Sequence, residues 1–311
     1  MASSTRKRIA KNTLILYIRM LLVTGVSLYT VRVVLNALGI NDYGVYSAVS
    51  GLVALCVFLP NSMASATQRF FSFALGQNDK DRLIKTFTVN LVLYLGIAVL
   101  ALFLLEVVGL WYISSTLKIP EGRLDSAIYL YHLSTVTLVA SILTAPFIAI
   151  LIAHEDMQLY AYAAIGDAIL KLVTVFLLAQ AAGDKLIFYG WLLFFVSVAN
   201  AVFYISVCVW RYEECRFKRF FWDSKLLYEV IGFTGWTLFG QMSTIARNQA
   251  VTVLLNQTFT PAVVAARAIA MNIASQINMF SGNFNTSLYP PIIKSYASGD
   301  RQEMYALIFM G

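Results

Sequence analysis

Long apolar segments recur along the whole chain, and they restrict its fold more than any other feature of the sequence. Each approaches the length of about 20 residues that an α-helix needs to cross a bilayer. Charged residues make up 13% of the 311-residue chain, whereas a soluble domain contains about 25%. No segment alternates apolar and polar residues as the strands of a transmembrane barrel do. The sequence therefore predicts an all-α polytopic membrane protein.

Eight membrane-spanning helices are predicted, and a ninth begins near Met304. Pro60 and Pro146 lie within spans and predict kinks, while Pro290 and Pro291 are expected to end the eighth span. The predicted spans are Asn12–Leu38, Tyr43–Ala66, Ile84–Leu110, Ala127–Ile152, Leu159–Ala181, Lys185–Trp210, Tyr228–Asn256 and Val263–Tyr289.

The lysines and arginines predict how the chain is oriented. With the N-terminus in the cytoplasm, only Lys118, Arg123 and Lys185 of the 23 basic residues fall in outer segments. The positive-inside rule therefore favours a multi-pass protein of the bacterial inner membrane with a cytoplasmic N-terminus. The net charge of +7 reflects this topology and gives no reason to expect nucleic acid as a partner. Basic and aromatic residues alternate in the segment 211–225, which is expected to lie on the inner leaflet.

Two stretches of the chain resemble each other at a distance of about 220 residues. In each, an asparagine (Asn36 or Asn256) ends one apolar run, and a serine–aromatic–alanine segment (from Ser72 or Ser295) ends the next. Short matches of this kind also arise by chance in apolar chains. We interpret the match as a parallel repeat of a multi-helix unit, because both stretches run in the same direction across the membrane.

The repeat predicts three parts. They are a six-helix N-terminal bundle (1–210), a cytoplasmic interfacial linker (211–227) and an incomplete C-terminal bundle (228–311). The second bundle would contain its first two helices and the start of its third. The chain is therefore expected to be a C-terminally truncated fragment, and a complete eight-span protein is the alternative.

Ionisable side chains within predicted spans indicate candidate functional residues, because their burial is costly. Asp167 and Lys171 are spaced i, i+4 on the fifth span. They form either an ion pair that lowers the cost of burial, which we favour, or a titratable pair that couples ion movement to transport. Arg19 is expected to extend to the inner interface.

Three further arginines, Arg32, Arg247 and Arg267, lie toward the outer half of their spans. Asn36 shares a helix face with Arg32, and Asn278 lies in line with Arg267. These five residues are the candidate substrate-binding residues, since guanidiniums around one cavity would bind phosphate or carboxylate. The alternative is that each arginine is separately structural. The eighth span carries a second polar stripe as well, formed by Asn272, Gln276 and Asn283, and which stripe lines a cavity stays open.

The sequence contains no pattern typical of a catalytic or metal site. There is no phosphate-binding glycine loop, nucleophile motif or metal-ligand spacing. The three cysteines and two histidines are isolated from one another. We expect no enzyme activity, no metal and no cofactor.

Several short segments carry a resemblance to a known family. They are Arg32–Gly39, Asp42–Tyr46, Gln68–Gly76, Ala153–Glu155, Phe233–Trp236, Ala265–Ala270 and Pro291–Asp300. Together they resemble bacterial O-antigen and capsular polysaccharide flippases. These flippases belong to the multidrug/oligosaccharidyl-lipid/polysaccharide exporter superfamily.

The resemblance implies a two-bundle exporter fold and a substrate. The substrate would be an undecaprenyl-diphosphate-linked oligosaccharide, moved from the inner to the outer leaflet by alternating access during synthesis of surface polysaccharide such as the lipopolysaccharide O-antigen. Expected partners are the lipid bilayer, a proton or sodium ion and polysaccharide-assembly proteins. One alternative is a multidrug and toxic compound extrusion (MATE) antiporter, although organic cations would favour carboxylates in the cavity. Another is a membrane glycosyl polymerase or ligase, for which the outer loop Trp111–Ser126 is short.

Overall fold

The structure is a computed structural model that describes residues 2–117, 119–120, 122–216, 221–258 and 261–309. The described residues form helices and connecting turns, with no strand, which confirms the prediction of an all-α fold. Lys118 and residues 217–220, which the sequence placed in an outer loop and in the interfacial linker, lie outside this description. The helices are α1 (Ala2–Ala54), α2 (Phe58–Gly76), α3 (Lys80–Leu104), α4 (Leu110–Ser115), α5 (Leu124–Ala153), α6 (Met157–Gln180), α7 (Lys185–Arg211), α8 (Ser224–Thr258), α9 (Pro261–Ala297) and α10 (Arg301–Ile308).

Helix α1 contains both the first predicted span and the start of the second. The two are separated by a bend at Gly39, whose backbone angles (φ 78°, ψ 171°) are not helical. Glycine adopts this positive φ without the steric cost of a Cβ. The connection predicted between the first two spans is therefore a one-residue bend.

The second predicted span is divided into two helices. Helix α1 ends at Ala54 and α2 begins at Phe58, so Pro60 lies in the first turn of α2. A proline is tolerated there because the missing N–H would have no intrahelical partner. Pro60 therefore lies at the start of a helix, and it does not kink a continuous span as predicted.

The eighth span does not end where the sequence suggested. Helix α9 continues through Pro290 and Pro291 to Ala297. Its last turns are packed, since Leu288 and Ser295 are buried and the Tyr296 ring contacts Phe73 of α2. We attribute the continuation to this packing, which offsets the two backbone hydrogen bonds that the prolines remove.

Five helical stretches of the described chain are long and apolar enough to cross a membrane. They are Lys7–Gly76, Lys80–Ser115, Leu124–Ala153, Met157–Gln180 and Lys185–Arg211. The first, at 70 residues, contains two predicted spans, and the second passes through a π-helical turn, Leu105–Gly109. Helices α8 and α9 do not combine length with the same apolar composition. The seventh and eighth spans therefore stay predictions.

The largest core surrounds α5, which packs against α2, α3 and α7. Tyr94 and Tyr131 are fully buried within it, and both hydroxyls are hydrogen-bonded. Tyr131 donates to the Leu105 carbonyl at 2.6 Å, and the Tyr94 hydroxyl lies 3.0 Å from that of Thr67. Helices α1 to α7 thus form one packed bundle, against which α8 and α9 lie mainly through α1 and α2.

The starts of α3 and α10 share one backbone geometry. Asp79 caps α3 and Asp300 caps α10, and each carboxylate accepts a hydrogen bond of 2.9 Å from the amide three residues later. The preceding residue has a positive φ in both cases, 52° at Asn78 and 82° at Gly299. Asp79 lies seven positions after Ser72 and Asp300 lies five after Ser295, so the two caps are alike in geometry but not in register within the two stretches. The repeat stays a prediction.

A ring and an arginine flank each of these two caps. The Arg82 guanidinium lies 4.9 Å from the centre of the Phe73 ring, and that of Arg301 lies 4.4 Å from the centre of the Tyr296 ring. Phe73 and Tyr296 also contact each other, with ring centroids 6.4 Å apart. Equivalent residues of the two stretches therefore meet where α2 packs on α9.

Candidate functional site

Helices α1 and α9 meet through the first turns of α1 and the last turns of α9. The hydroxyls of Thr13 and Ser287 are 2.6 Å apart and buried, and Ile9 packs with Leu288 in an apolar cluster. Asn283 donates from Nδ2 to the sulfur of Met20 at 3.1 Å. We call these contacts, with those that α9 makes to α2 and to the turn between α5 and α6, the seam.

An ion-pair cluster at the seam joins three parts of the chain. Glu155 lies in the turn between α5 and α6, with φ at 65° and a side chain only 2% exposed. Its carboxylate accepts from Lys294 of α9 at 2.8 Å and pairs with Arg8 of α1 at 2.9 Å. A buried carboxylate needs such partners, because burial of a lone charge costs several kcal/mol.

Helix α9 also approaches α2 closely at Gly76. A Cβ added there would lie 2.6 Å from the Lys294 carbonyl oxygen and 2.8 Å from the Ala297 Cβ. Glycine is therefore required for this approach of the two helices.

Beyond the seam, toward Gly39, side chains of both helices are exposed. Leu28 of α1 is 70% exposed and Ile277 of α9 is 65% exposed, and Tyr29 and Ile273 are exposed as well. We call the space between α1 and α9 on this side of the seam the cleft.

A cavity of about 530 Å³ lies at the base of this cleft, a size within the range typical of ligand pockets. Its lining residues from α1 are Arg19, Met20, Val23, Thr24, Ser27 and Leu28, and those from α9 are Gln276, Met279 and Asn283. The Arg19 guanidinium lies over the ring of Tyr160 of α6, 4.3 Å from its centre. Arg19 Nε is buried and makes no hydrogen bond with the described residues. The base of the cleft therefore combines a cation, amides and hydroxyls with apolar side chains.

The five substrate-binding candidates from the sequence do not line this cavity in the described chain. Arg32 and Asn36 are exposed on α1, Arg247 is exposed on α8, and Asn278 is exposed on α9, while Arg267 is half-buried. No hydrogen bond or ion pair joins the three guanidiniums to described residues. Their role in binding stays a prediction.

The two polar stripes of α9 face different cavities. Gln276 and Asn283 line the cavity beside α1. Asn285, seven positions after Asn278 and so in the stripe of Asn278 and Arg267, lines a second cavity of about 380 Å³ with Ser65 and Gln68 of α2. The side chain of Asn272 lies outside the description. Both stripes therefore contribute to cavities.

Asp167 and Lys171 form the ion pair expected from their spacing on α6. The Lys171 ammonium lies 2.8 Å from Asp167 Oδ2, and Asn200 of α7 donates from Nδ2 to Asp167 Oδ1 at 2.5 Å. The carboxylate is thus held from two helices. The alternative, in which the pair couples ion movement to transport, stays a prediction.

Arg19 lines the cavity with Thr24 and Ser27, and its expected extension to the inner interface stays a prediction. The sequence contained one signal for this position. At 100° per residue, Arg19 and Ser27 lie about 80° apart on α1, two turns from each other. Neither residue type indicates which neighbouring helix that face contacts. The contact between Arg19 and Tyr160 could therefore not be predicted from the sequence.

A second ion-pair cluster lies away from the seam, at the start of α7. Arg123 pairs with Asp184 at 2.9 Å and with Asp42 at 2.6 Å. Burial disfavours the charged form of Asp184. Hydrogen bonds from Ser126 and from the first amides of α7, with the charge of Arg123, outweigh that effect and lower the pKa of Asp184.

A family model described as MatE matches residues 16–177 of the chain, which is more than half of its length. No protein matches in a search of curated sequences. The family consists of transporters, and with the apolar helices it makes this chain a multi-pass membrane protein.

Several solved structures share the fold. A MATE crystal structure in the bent conformation has a TM-score of 0.83 at 14% identity, covering 98% of this chain and 68% of that one. An outward-facing multidrug resistance MATE family transporter has a TM-score of 0.79 at 13% identity, with coverages of 97% and 67%. The same values hold for a superfamily transporter from Pyrococcus furiosus, described as having a binding pocket of reverse polarity. The chain thus spans about two thirds of their length.

These matches correct the family and function that the sequence segments suggested. The expected assignment to O-antigen and capsular polysaccharide flippases is wrong, and with it the expected lipid-linked oligosaccharide substrate and role in lipopolysaccharide synthesis. The findings favour the MATE alternative within the same superfamily. Segments of this kind can indicate a fold, whereas function depends on the residues of the site.

Proposed function

This chain belongs to the MatE family, and on that premise we propose that it is a MATE-type membrane transporter that extrudes an amphiphilic solute by alternating access. The observation that carries this proposal is the cleft between α1 and α9, which the contacts of the seam border at one end. A cavity of about 530 Å³ at its base would hold the solute. Opening of the seam and closure of the cleft would then expose the cavity to the opposite side.

We propose that two bundles rock against each other during this exchange. The first comprises residues 1–210 and the second begins at residue 228, with 211–227 as the linker. In support, α8 and α9 contact the first bundle mainly through α1 and α2. With the distribution of basic residues, this gives a bacterial inner-membrane protein whose N-terminus and seam face the cytoplasm. The open cleft then faces outward.

The proposed path of the solute follows the cleft. Arg19, Gln276 and Asn283 would bind it at the base, and Arg32 and Arg267 would contact it on its way along the helices. Arg247, Asn36 and Asn278 are further candidates along the same route. Each of these side chains lies on α1 of the first bundle or on α8 or α9 of the second, the parts that would move relative to each other.

A proton or sodium gradient would drive the exchange through Asp167 and Lys171. The ion pair sits on α6, beside Asn200 of α7, and an arriving cation that competes with Lys171 for the carboxylate would break it. Arg19 of the cavity contacts Tyr160, which lies on α6 seven positions before Asp167. That proximity supports a link between the ion pair and the cavity.

The test is transport by the chain reconstituted in proteoliposomes. We expect a proton or sodium gradient to drive the movement of fluorescent amphiphiles, and Asp167→Asn to abolish the dependence on the gradient. Glu106→Gln is the matched control, because Glu106 also pairs within the bundle, with His132 at 2.9 Å, and it should transport normally. If no amphiphile of any charge moves with either gradient, the transporter proposal is wrong.

A further inference from the structure

The cavity at the base of the cleft has a definite polarity. Arg19 is the one charged side chain among its described lining residues, and no carboxylate lines it. The positive charge is not neutralised locally, since Arg19 makes a ring contact with Tyr160 and its buried Nε has no hydrogen-bond partner among described residues. Asp167 on the same helix as Tyr160 is already paired with Lys171.

The two helices that face each other across the cleft extend this polarity. Residues 2–38 of α1 contain no aspartate or glutamate, and neither does α9. The same segments contribute Arg32 and Arg267 beyond the cavity. An organic cation that entered the cleft would therefore meet like charge and no carboxylate on either wall. At a site screened from water, such repulsion opposes binding.

From this arrangement we infer that the transported solute is an anionic amphiphile, with a compact carboxylate or phosphate group and an apolar body. The inference rests on the proposed transport function and specifies its substrate class. A guanidinium binds such an oxyanion through parallel, charge-assisted N–H···O bonds. Gln276, Asn283 and the hydroxyls of Thr24 and Ser27 provide further donors beside Arg19.

The rest of the lining matches the apolar body of the solute. Met20, Val23, Leu28 and Met279 border the cavity. Methionine side chains adapt to apolar groups of different shape. Ile273 and Ile277, further along α9, are exposed apolar residues as well. A solute with its charge at Arg19 would therefore extend its apolar part along the walls of the cleft.

Binding of three matched probes tests the substrate class. The probes carry the same dansyl-alkyl body and differ only in the head group, which is a carboxylate, a phosphate monoester or an ammonium. With the full chain in nanodiscs, we expect both anions to bind at least about tenfold more tightly than the ammonium, the effect of one charge-assisted contact. Comparison of the two anions tells which head group the cavity prefers. Equal or tighter binding of the ammonium would overturn the inference.

Variants locate the preference at Arg19. Arg19→Gln should remove about tenfold of the anion affinity, and Arg19→Lys should retain part of it. Arg69→Gln is the matched control, because Arg69 also stacks on a ring, that of Phe233 at 4.5 Å, but does not line this cavity. Unchanged anion affinity in folded Arg19→Gln would contradict the proposed site.

A second variant keeps the test independent of Arg19. Ser27→Glu places a carboxylate in the same cavity and should remove or reverse the preference for anions. An unchanged preference in this variant would also overturn the inference. Gradient-driven transport of the ammonium probe alone would retain the transporter and reject the anionic substrate class. Selective anion binding without transport of any probe would instead contradict the proposed transport function and support the anion preference of the cavity.

Discussion

Glu155 holds the seam together through one buried carboxylate. Its partners Lys294 and Arg8 come from α9 and α1, so the carboxylate joins the two helices that must separate when the seam opens. Removal of one partner from a buried pair costs about 3 kcal/mol, because the other charge is left uncompensated. The seam contacts are therefore expected to depend on this residue more than on any surface ion pair.

We predict that Glu155→Gln shifts the protein toward the state with a closed cleft. The readout is the rate at which an impermeant maleimide labels a cysteine placed at Gln276 in the cavity, in a background with Cys56→Ala. The remaining native thiols, Cys208 and Cys215, are fully buried. Labelling should slow, since a cost of about 3 kcal/mol corresponds to more than a hundredfold change in population.

Glu213→Gln is the control for this prediction. Glu213 pairs with Lys80 at 3.9 Å on the surface, and both side chains are mostly exposed, so its loss should leave labelling unchanged. The double variant Glu155→Gln with Lys294→Met removes the carboxylate and the buried ammonium together, so that of the cluster only the charge of Arg8 is left. It should recover much of the labelling rate. Fast labelling in Glu155→Gln alone would show that the cluster does not hold the seam.

Part of the candidate site could be predicted from the sequence, and the rest depends on contacts between helices. The i, i+4 spacing of Asp167 and Lys171 was enough to predict their ion pair. The contact of Arg19 with the cavity could not be predicted, because a single helix face can contact lipid, a cavity or another helix, and the sequence is compatible with each. Glu155 was recognised only as part of a short motif, because its partners lie 139 and 147 positions away.

At the scale of elements, the helices were predictable and their junctions were not. Apolar runs located α5, α6 and α7 to within a few residues, because a membrane span must be apolar along its length. The bend at Gly39 and the continuation of α9 past Pro291 depend on which neighbours pack there. Local propensity contains no information about such neighbours.

The start of α7 gives a prediction about pH. Since the pKa of Asp184 is lowered in the folded protein, its contribution to stability is complete above the unfolded value of about 3.9. That contribution is lost as the pH falls through the lower, folded value. We expect thermal unfolding of the detergent-solubilised protein to shift to lower temperature in this acidic range, and Asp184→Asn to weaken the shift.

The comparison for this experiment is Asp223→Asn. Asp223 accepts a hydrogen bond from the Leu226 amide at 3.1 Å at the start of α8, so it tests the loss of a carboxylate at another helix start. This variant should keep the pH dependence of the parent. Identical pH profiles for the parent and Asp184→Asn would refute the assignment.

At the scale of the whole molecule, the two similar stretches of sequence meet at the seam. Phe73 and Tyr296, each the residue after the serine of its stretch, are in contact, and the repeat itself stays a prediction. The match at superfamily level was visible in the sequence. The choice between families was not, because proteins that share a fold can differ in the residues of their sites.

A cross-link at the seam tests the rocking motion. Thr13 and Ser287 have their hydroxyls 2.6 Å apart, so Thr13→Cys with Ser287→Cys should form a disulfide under oxidation. We expect the oxidised double variant to lose transport in proteoliposomes while it still binds the solute. Reduction should restore transport, and each single variant should be insensitive to oxidant. Full transport by the oxidised protein would mean that the seam need not open.

The close approach at Gly76 has a consequence for turnover. Because the Lys294 backbone lies against that glycine, the seam gains contact over its full area only when α2 and α9 are fully seated. A tighter seam stabilises the state in which the seam is closed, without stabilising the transition state between the two conformations. The rate at which the seam opens is therefore limited by how well this interface packs. Selection for a faster transport cycle is expected to loosen this packing.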